Sequence, residues 1–171
     1  MLAVVMVNVG NHRGMGVEYA NRLRSDVMKH LSVPHKVYCY TDQPACFYPR
    51  TRCKTHPVGV SWEIGRMFRA GAFTEDRILY LSLDTIILND IDELATYEGE
   101  FAVSDGLHVM AWKNGAELNV MMKAERLEDV FPELITPYAP YLPESARIVT
   151  FDTAPHEVGG WVSEYWEKAE A

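Results

Sequence analysis

Arg77-Ile78-Leu79-Tyr80-Leu81-Ser82-Leu83-Asp84-Thr85-Ile86-Ile87-Leu88-Asn89-Asp90-Ile91-Asp92-Glu93-Leu94 decides the fold of this chain. An apolar run that stops abruptly at a carboxylate reads as a buried strand. A second apolar run follows, and then a capped helical turn. A carboxylate taken out of water costs several kcal/mol unless a cation or hydrogen-bond donors compensate it, and ligands of α/β proteins sit at sheet ends. Asp84 therefore asks for a partner, or else it starts a turn or caps a nearby amide.

The stretch before it supports a parallel sheet. Leu2 to Asn8 is a short continuous apolar run of the kind found in a central strand buried on both faces. A loop with Gly10, Gly14 and Gly16 leads into a helix expected over Val17 to Leu31, with Leu23, Val27 and Leu31 at four-residue spacing on one face. Pro34 ends it, and His35 to Tyr40 forms the next strand, closed by the turn Thr41-Asp42-Gln43-Pro44. Strand, helix, strand is the opening of an α/β unit. The glycines do not match the dinucleotide fingerprint, because only Gly14-Met15-Gly16 has the first spacing and no third glycine follows, so a dehydrogenase of that type is a weak reading.

Further on, the irregular stretch from Cys46 to Gly59 reads as a surface loop or short hairpin. Ser61 to Arg69 reads as a helix with Ser61 as its N-cap and Ile64 and Phe68 on one face. Asp90 can cap the turn Ile91 to Leu94, with Glu93 completing a capping box. Phe101-Ala102-Val103 and His108 to Trp112 read as strands separated by Ser104-Asp105-Gly106, with a turn at Lys113-Asn114-Gly115. Met121, Met122, Leu127, Val130 and Phe131 suggest helical packing on the sheet. The proline-spaced piece Phe131 to Pro143 cannot be one helix and is expected to wrap the surface as the rim of a site. Ala146 to Phe151 is a last strand. The terminal helix places Trp161, Tyr165 and Trp166 on a face that packs on the sheet or on a second subunit, as in a homodimer.

With 171 residues, 48% of them hydrophobic, the chain is expected to form one domain. A net charge of -8 argues against nucleic acid or an anionic membrane as the main partner, since both need a concentrated basic surface. No apolar stretch approaches the roughly 18 residues of a membrane span, and the N-terminal run lacks a basic leader, so a cytoplasmic location is expected. Cys39, Cys46 and Cys53 form no Cys-x-x-Cys unit and are odd in number, which suggests reduced thiols rather than a disulfide framework or zinc site.

Residues 79–85 and 91–94 resemble the Leu-Tyr-Leu-Asp-x-Asp-Thr and Ile-Asp-Glu-Leu signature of nucleotide-sugar glycosyltransferases with the GT-A fold, especially the glycogenin-like family 8 and its small phage and bacterial relatives. The resemblance implies an α/β, three-layer GT-A-like fold around a mostly parallel sheet, with a nucleotide-binding half at 1–100 and an acceptor half at 101–171. It implies transfer of a sugar from a nucleotide-diphosphate donor, a UDP-sugar, to an acceptor. In that family the Asp-x-Asp pair holds manganese or magnesium, which grips the diphosphate. This chain departs from the pattern because Ser82 replaces the first Asp.

By the same resemblance, the metal ligands would be Asp84, Ser82 and His156, the last from the family's His-x-x-Gly spacing to Gly159. In a second register His156 matches only the later histidine of the phage-type motif. Asn8, Val9, Gly10 and Tyr19 would meet the nucleoside, together with Leu83. Arg66 or Arg69 would reach phosphate where Ile64 replaces the usual lysine of the Trp62-to-Phe68 helix. Asp105 and Trp112 would belong to the sugar and acceptor pocket, unless Asp105 is simply a turn aspartate. No nucleophile or general base is assigned, and a retaining reaction would need no dedicated base. The other readings are a degenerate relative that binds nucleotide or sugar without turnover or serves as a structural accessory of a phage or bacterial assembly, and a nucleotidyltransferase, which would need a second carboxylate and a basic phosphate loop.

Overall fold

A computed structural model describes residues 1–10, 14–43, 52–55, 67–69, 71–116, 123–141 and 144–170, with residues 52–55 and 167–170 described by backbone alone. The chain runs β1 (Leu2–Asn8), α1 (Val17–His30), β2 (His35–Thr41), β3 (Arg52–Thr55), β4 (Arg77–Leu81), β5 (Thr85–Ile87) and α2 (Asp92–Ala95). It continues with β6 (Phe101–Val103), β7 (Val109–Lys113), β8 (Glu125–Arg126), α3 (Leu127–Val130), β9 (Ile135–Pro137), β10 (Ile148–Thr150) and α4 (Trp161–Glu170).

A seven-stranded sheet has the order β3-β2-β1-β4-β7-β6-β8. Every neighbouring pair is parallel except those of β7, which runs against both β4 and β6. A three-stranded sheet, β5-β10-β9, stands beyond the end of β4. Central β1 and β4 are apolar from Leu2 to Val7 and from Ile78 to Leu81, as strands covered on both faces require. Val4, Met6, Leu79 and Leu81 face α1 through Ala20, Leu23 and Val27. Ala3, Val5, Ile78 and Tyr80 face the opposite side with Phe73, Phe101 and Trp112.

Several elements differ from the sequence reading. Residues 52–55 form a parallel edge strand beside β2 in place of a loop or hairpin. The proline-spaced piece supplies β9, which pairs with β10. Pro137 sits at its last position, where a missing amide is tolerated at a sheet edge. Asp90 accepts from the Asp92 amide at 2.7 Å, but no capping box forms, because Glu93 is drawn to Arg147 at 2.8 Å instead. Cys39 is buried in the core, as expected. The expected helix at 61–69 lies largely outside the described residues, as do Cys46, Met121 and Met122.

Tyr165 and Trp166 of α4 lie against α1, while Trp161 packs on Tyr138 and Phe151. The Arg22 guanidinium lies 3.9 Å from the Tyr165 ring centre and donates to the Tyr165 carbonyl at 2.9 Å, and the Tyr165 hydroxyl donates to Asp26. Burial pushes the Asp26 carboxyl up to about 6, against the hydrogen bond from Tyr165 and the charge of Arg22. Just before β4, buried Glu75 accepts from Lys36 at 2.5 Å, Tyr38 at 3.0 Å and the Thr74 hydroxyl at 2.9 Å. Burial alone would raise the Glu75 carboxyl, but these donors, Lys36 foremost, hold it down at about 2.

The two carboxyls have opposite linkage. Asp26 stabilises most below its ordinary pKa, and that contribution is lost as pH rises through about 6. Glu75 stabilises above its ordinary pKa, and its contribution is lost as pH falls toward about 2. Urea unfolding as a function of pH should show Asp26→Asn flattening the decline between about pH 4 and pH 6. Glu75→Gln, which leaves Lys36 without its charge partner, should cost roughly 3 kcal/mol near neutral pH and remove the acid limb of the profile.

Candidate functional site

The chain leaves the main sheet at Leu81 and enters the second at Thr85, so Ser82, Leu83 and Asp84 form the corner between two sheets. β4 is central and parallel to β1, which puts this corner beside Asn8 at the carboxyl edge of the parallel strands. On its other side β7 begins at Val109, opposite Leu81, so the residue before it, His108, meets the corner. The Ser82 amide donates to the His108 carbonyl at 2.8 Å, and the Phe151 amide donates to the Asp84 carbonyl at 3.1 Å.

Asp84 is buried, with 6% of its surface exposed. Its Oδ1 lies 2.9 Å from His108 Nδ1. Burial would raise its pKa, but hydrogen bonds from His108 and from the Ser82 side chain prevail, and the carboxyl is held below its ordinary value. An ionised carboxylate only accepts, so the proton between the two sits on His108 Nδ1. Burial pushes the neighbouring Tyr80 hydroxyl, also bonded to Ser82, up to about 12. Ser82 is thus a neutral bridge between a phenol and a carboxylate.

The loop that delivers His108 is strained. Gly106 has φ 73°, and Leu107, which is 47% exposed, has φ 62°. A left-handed non-glycine residue costs roughly 1–2 kcal/mol, and an exposed leucine recovers little of it by packing. The loop is fixed by Val109 N donating to Ser104 Oγ at 2.9 Å, by Asp105 N donating to Glu128 Oε1 at 2.9 Å, and by the exposed Arg126–Asp105 ion pair at 2.7 Å. A Cβ on Gly106 would stand 2.5 Å from His108 Nε2.

A cavity of about 590 Å³ opens where this loop meets the segment after β10. His108, Thr150 and Tyr138 line it, with carboxylates from Asp105, Glu128, Asp152 and Glu157, and among the described residues no lysine or arginine does. Tyr138 and Phe151 stack with ring centres 5.2 Å apart. Asp84 lies behind His108 and is not part of the wall.

The residues expected at the nucleoside are distributed along the end of β1. Asn8 is buried and donates to the carbonyls of Met15 at 3.3 Å and Gly16 at 2.9 Å, pinning the loop that enters α1. Val9 is half-buried, and the Gly10 amide, at φ 70°, donates to Asp42 at 3.2 Å. Leu83 is buried in the core at 8% exposure. Tyr19 is covered on both sides, its hydroxyl against His156 Nδ1 and its ring 4.7 Å from that of Trp166. Trp112, expected near the sugar, is instead 2% exposed and stacked on Phe68 at 4.7 Å, so its surface goes to the core. Asp105 does line the cavity. Arg66 lies outside the described residues.

Manganese or magnesium needs several oxygen or imidazole donors converging on one point. Among the described residues no group of three or more His, Cys, Asp or Glu side chains does so. Ser82 brings no charge, Asp84 is engaged by His108, and His156 by Tyr19. This donor set does not fit the ion. His108, the partner Asp84 does have, was missed in the sequence. Its signal was a Gly-x-His turn leading into the strand antiparallel to the one that ends at Asp84.

No protein-family model and no curated protein matches the chain. Among solved structures it is similar to a galactosyltransferase, LgtC, whose crystal structure is in complex with donor and acceptor sugar analogs. The TM-score is 0.63 over 96% of this chain and 94% of that one, with 8% identical residues. The fold is therefore of the GT-A glycosyltransferase type.

Gly106→Ala should destabilise the chain by on the order of 1–2 kcal/mol from its backbone alone, with a further loss as His108 is pushed aside. Urea unfolding measures the sum.

Proposed function

We propose that the chain transfers a glycosyl group from a nucleotide-diphosphate sugar, a UDP-sugar, to an acceptor hydroxyl. The observation that carries this reading is the cavity at the carboxyl edge of the sheet, in a chain whose GT-A fold matches a galactosyltransferase over nearly its whole length. Carboxylates, threonines and stacked aromatic rings suit a sugar, because carboxylates accept from its hydroxyls and rings cover its apolar face.

Among the described residues no lysine or arginine lines the cavity to hold a diphosphate. In this reading the cavity takes the sugar and acceptor, and the nucleotide lies toward Asn8, Val9 and Gly10 at the end of β1. Residues 1–100 then supply the nucleotide half and residues 101–171 the acceptor half, with Arg66 the phosphate contact. The reaction breaks the bond from the anomeric carbon to the diphosphate and forms one to the acceptor oxygen, whose proton leaves. The finer resemblance, to a small family 8 member with a degenerate Asp-x-Asp pair, would add Mn2+ or Mg2+ at Asp84. The donor set does not suit that ion, and no step here is routed through it.

Ser82 favours a second reading, in which the chain binds nucleotide or sugar without turnover. Calorimetric titration with UDP, followed by chromatography of UDP-sugars incubated with the protein, separates the two. Binding in the micromolar range with release of UDP is the expected result. Binding without release supports the second reading, and failure of UDP and of every UDP-sugar to bind sinks the transferase reading.

A further inference from the structure

We propose that Asp84 is a positioning residue for His108 rather than a ligand for a divalent metal, and that His108 is the side chain this corner presents to the cavity's occupant. That the occupant is a nucleotide sugar rests on the function proposed above; the assignment of Asp84 to His108 does not.

Three independent features meet at His108. Its Nδ1 is 2.9 Å from a buried carboxylate that only accepts, which fixes the tautomer and the plane of the ring. His108 is among the residues that line the cavity, whereas Asp84 is not. The two residues before His108 are held left-handed, at φ 73° and 62°, and the second is a solvent-exposed leucine with no packing reason to be so. Strain of this kind persists where the surroundings over-determine a functional geometry. Gly106 completes the arrangement, since any side chain there would meet His108 Nε2.

The alternative use of Asp84, as the surviving half of an Asp-x-Asp pair, fails on the donors. The first carboxylate is Ser82, whose hydroxyl supports Asp84 instead of opposing it. The histidine that would have closed the metal site is held by Tyr19 at the first helix. A metal at Asp84 would have to displace an imidazole from a buried hydrogen bond, and among the described residues no group of three or more His, Cys, Asp or Glu side chains converges to hold it.

The test is a long-range proton–nitrogen correlation spectrum of the uniformly labelled, resonance-assigned protein, recorded with and without UDP and with substoichiometric Mn2+. The expected spectrum shows His108 protonated at Nδ1. Mn2+ should broaden its signals no more than those of the other five of the chain's six histidines. In Asp84→Asn the His108 tautomer signature should change while the remaining histidines keep theirs.

Selective loss of the His108 signals on adding Mn2+, abolished in Asp84→Asn, would overturn the proposal and restore the metal site. A native His108 protonated only at Nε2 would overturn it as well. Should Asp84→Asn fail to fold, the two native spectra decide alone. Absence of any UDP effect counts against the transferase reading and leaves the His108 result intact.

Discussion

The burial of one carboxylate at the corner between two sheets constrains everything around it. Asp84 cannot be exposed without opening the junction of β4 and β5, and it cannot stay buried without donors. Its main-chain carbonyl takes the amide of Phe151 and its side chain takes the imidazole of His108. The end of β10, the start of β7 and the end of β4 are thereby tied to a single residue. The left-handed turn at Gly106 and Leu107 follows from it, because the loop must double back to return His108 to the corner.

The same corner divides the carboxyl edge of the sheet into two regions of different character. Toward β1 the groups are main-chain amides and carbonyls organised by Asn8 around a glycine-bearing loop. Toward β10 they are carboxylates, hydroxyls and rings around a cavity. An anionic ligand and a polyhydroxylated one would find different surroundings on the two sides, and His108 stands where they meet.

The central layer was readable because its strands are apolar on both faces and α1 repeats every four residues. β1, α1, β2 and β4 came out within a residue or two of their observed limits. β3 and β9 were not legible: they are short edge strands with polar or proline-bearing sequences, and only the neighbour they pair with makes them strands. Asp84 announced itself as a strand-end acid, but its partner lies 24 residues on and carried no periodic signal. Tyr19 and His156 were each singled out for separate roles. Their mutual contact spans 137 residues, a separation no local pattern encodes. Trp112 was placed at the sugar by the resemblance, whereas its ring is given to the core against Phe68.

The clasp between α1 and α4 has a consequence for the order of events in folding. Tyr19–His156, Asp26–Tyr165 and Arg22–Tyr165 join positions 137, 139 and 143 residues apart. Contacts this distant in sequence are formed against a large loop-closure entropy and tend to come late, after local strand–helix–strand units have condensed. The loop entering α1, which carries the glycines beside Asn8, therefore acquires its final cover only when the segment from His156 to Trp166 has been made and docked. On that ordering Tyr19 stays uncovered until α4 docks.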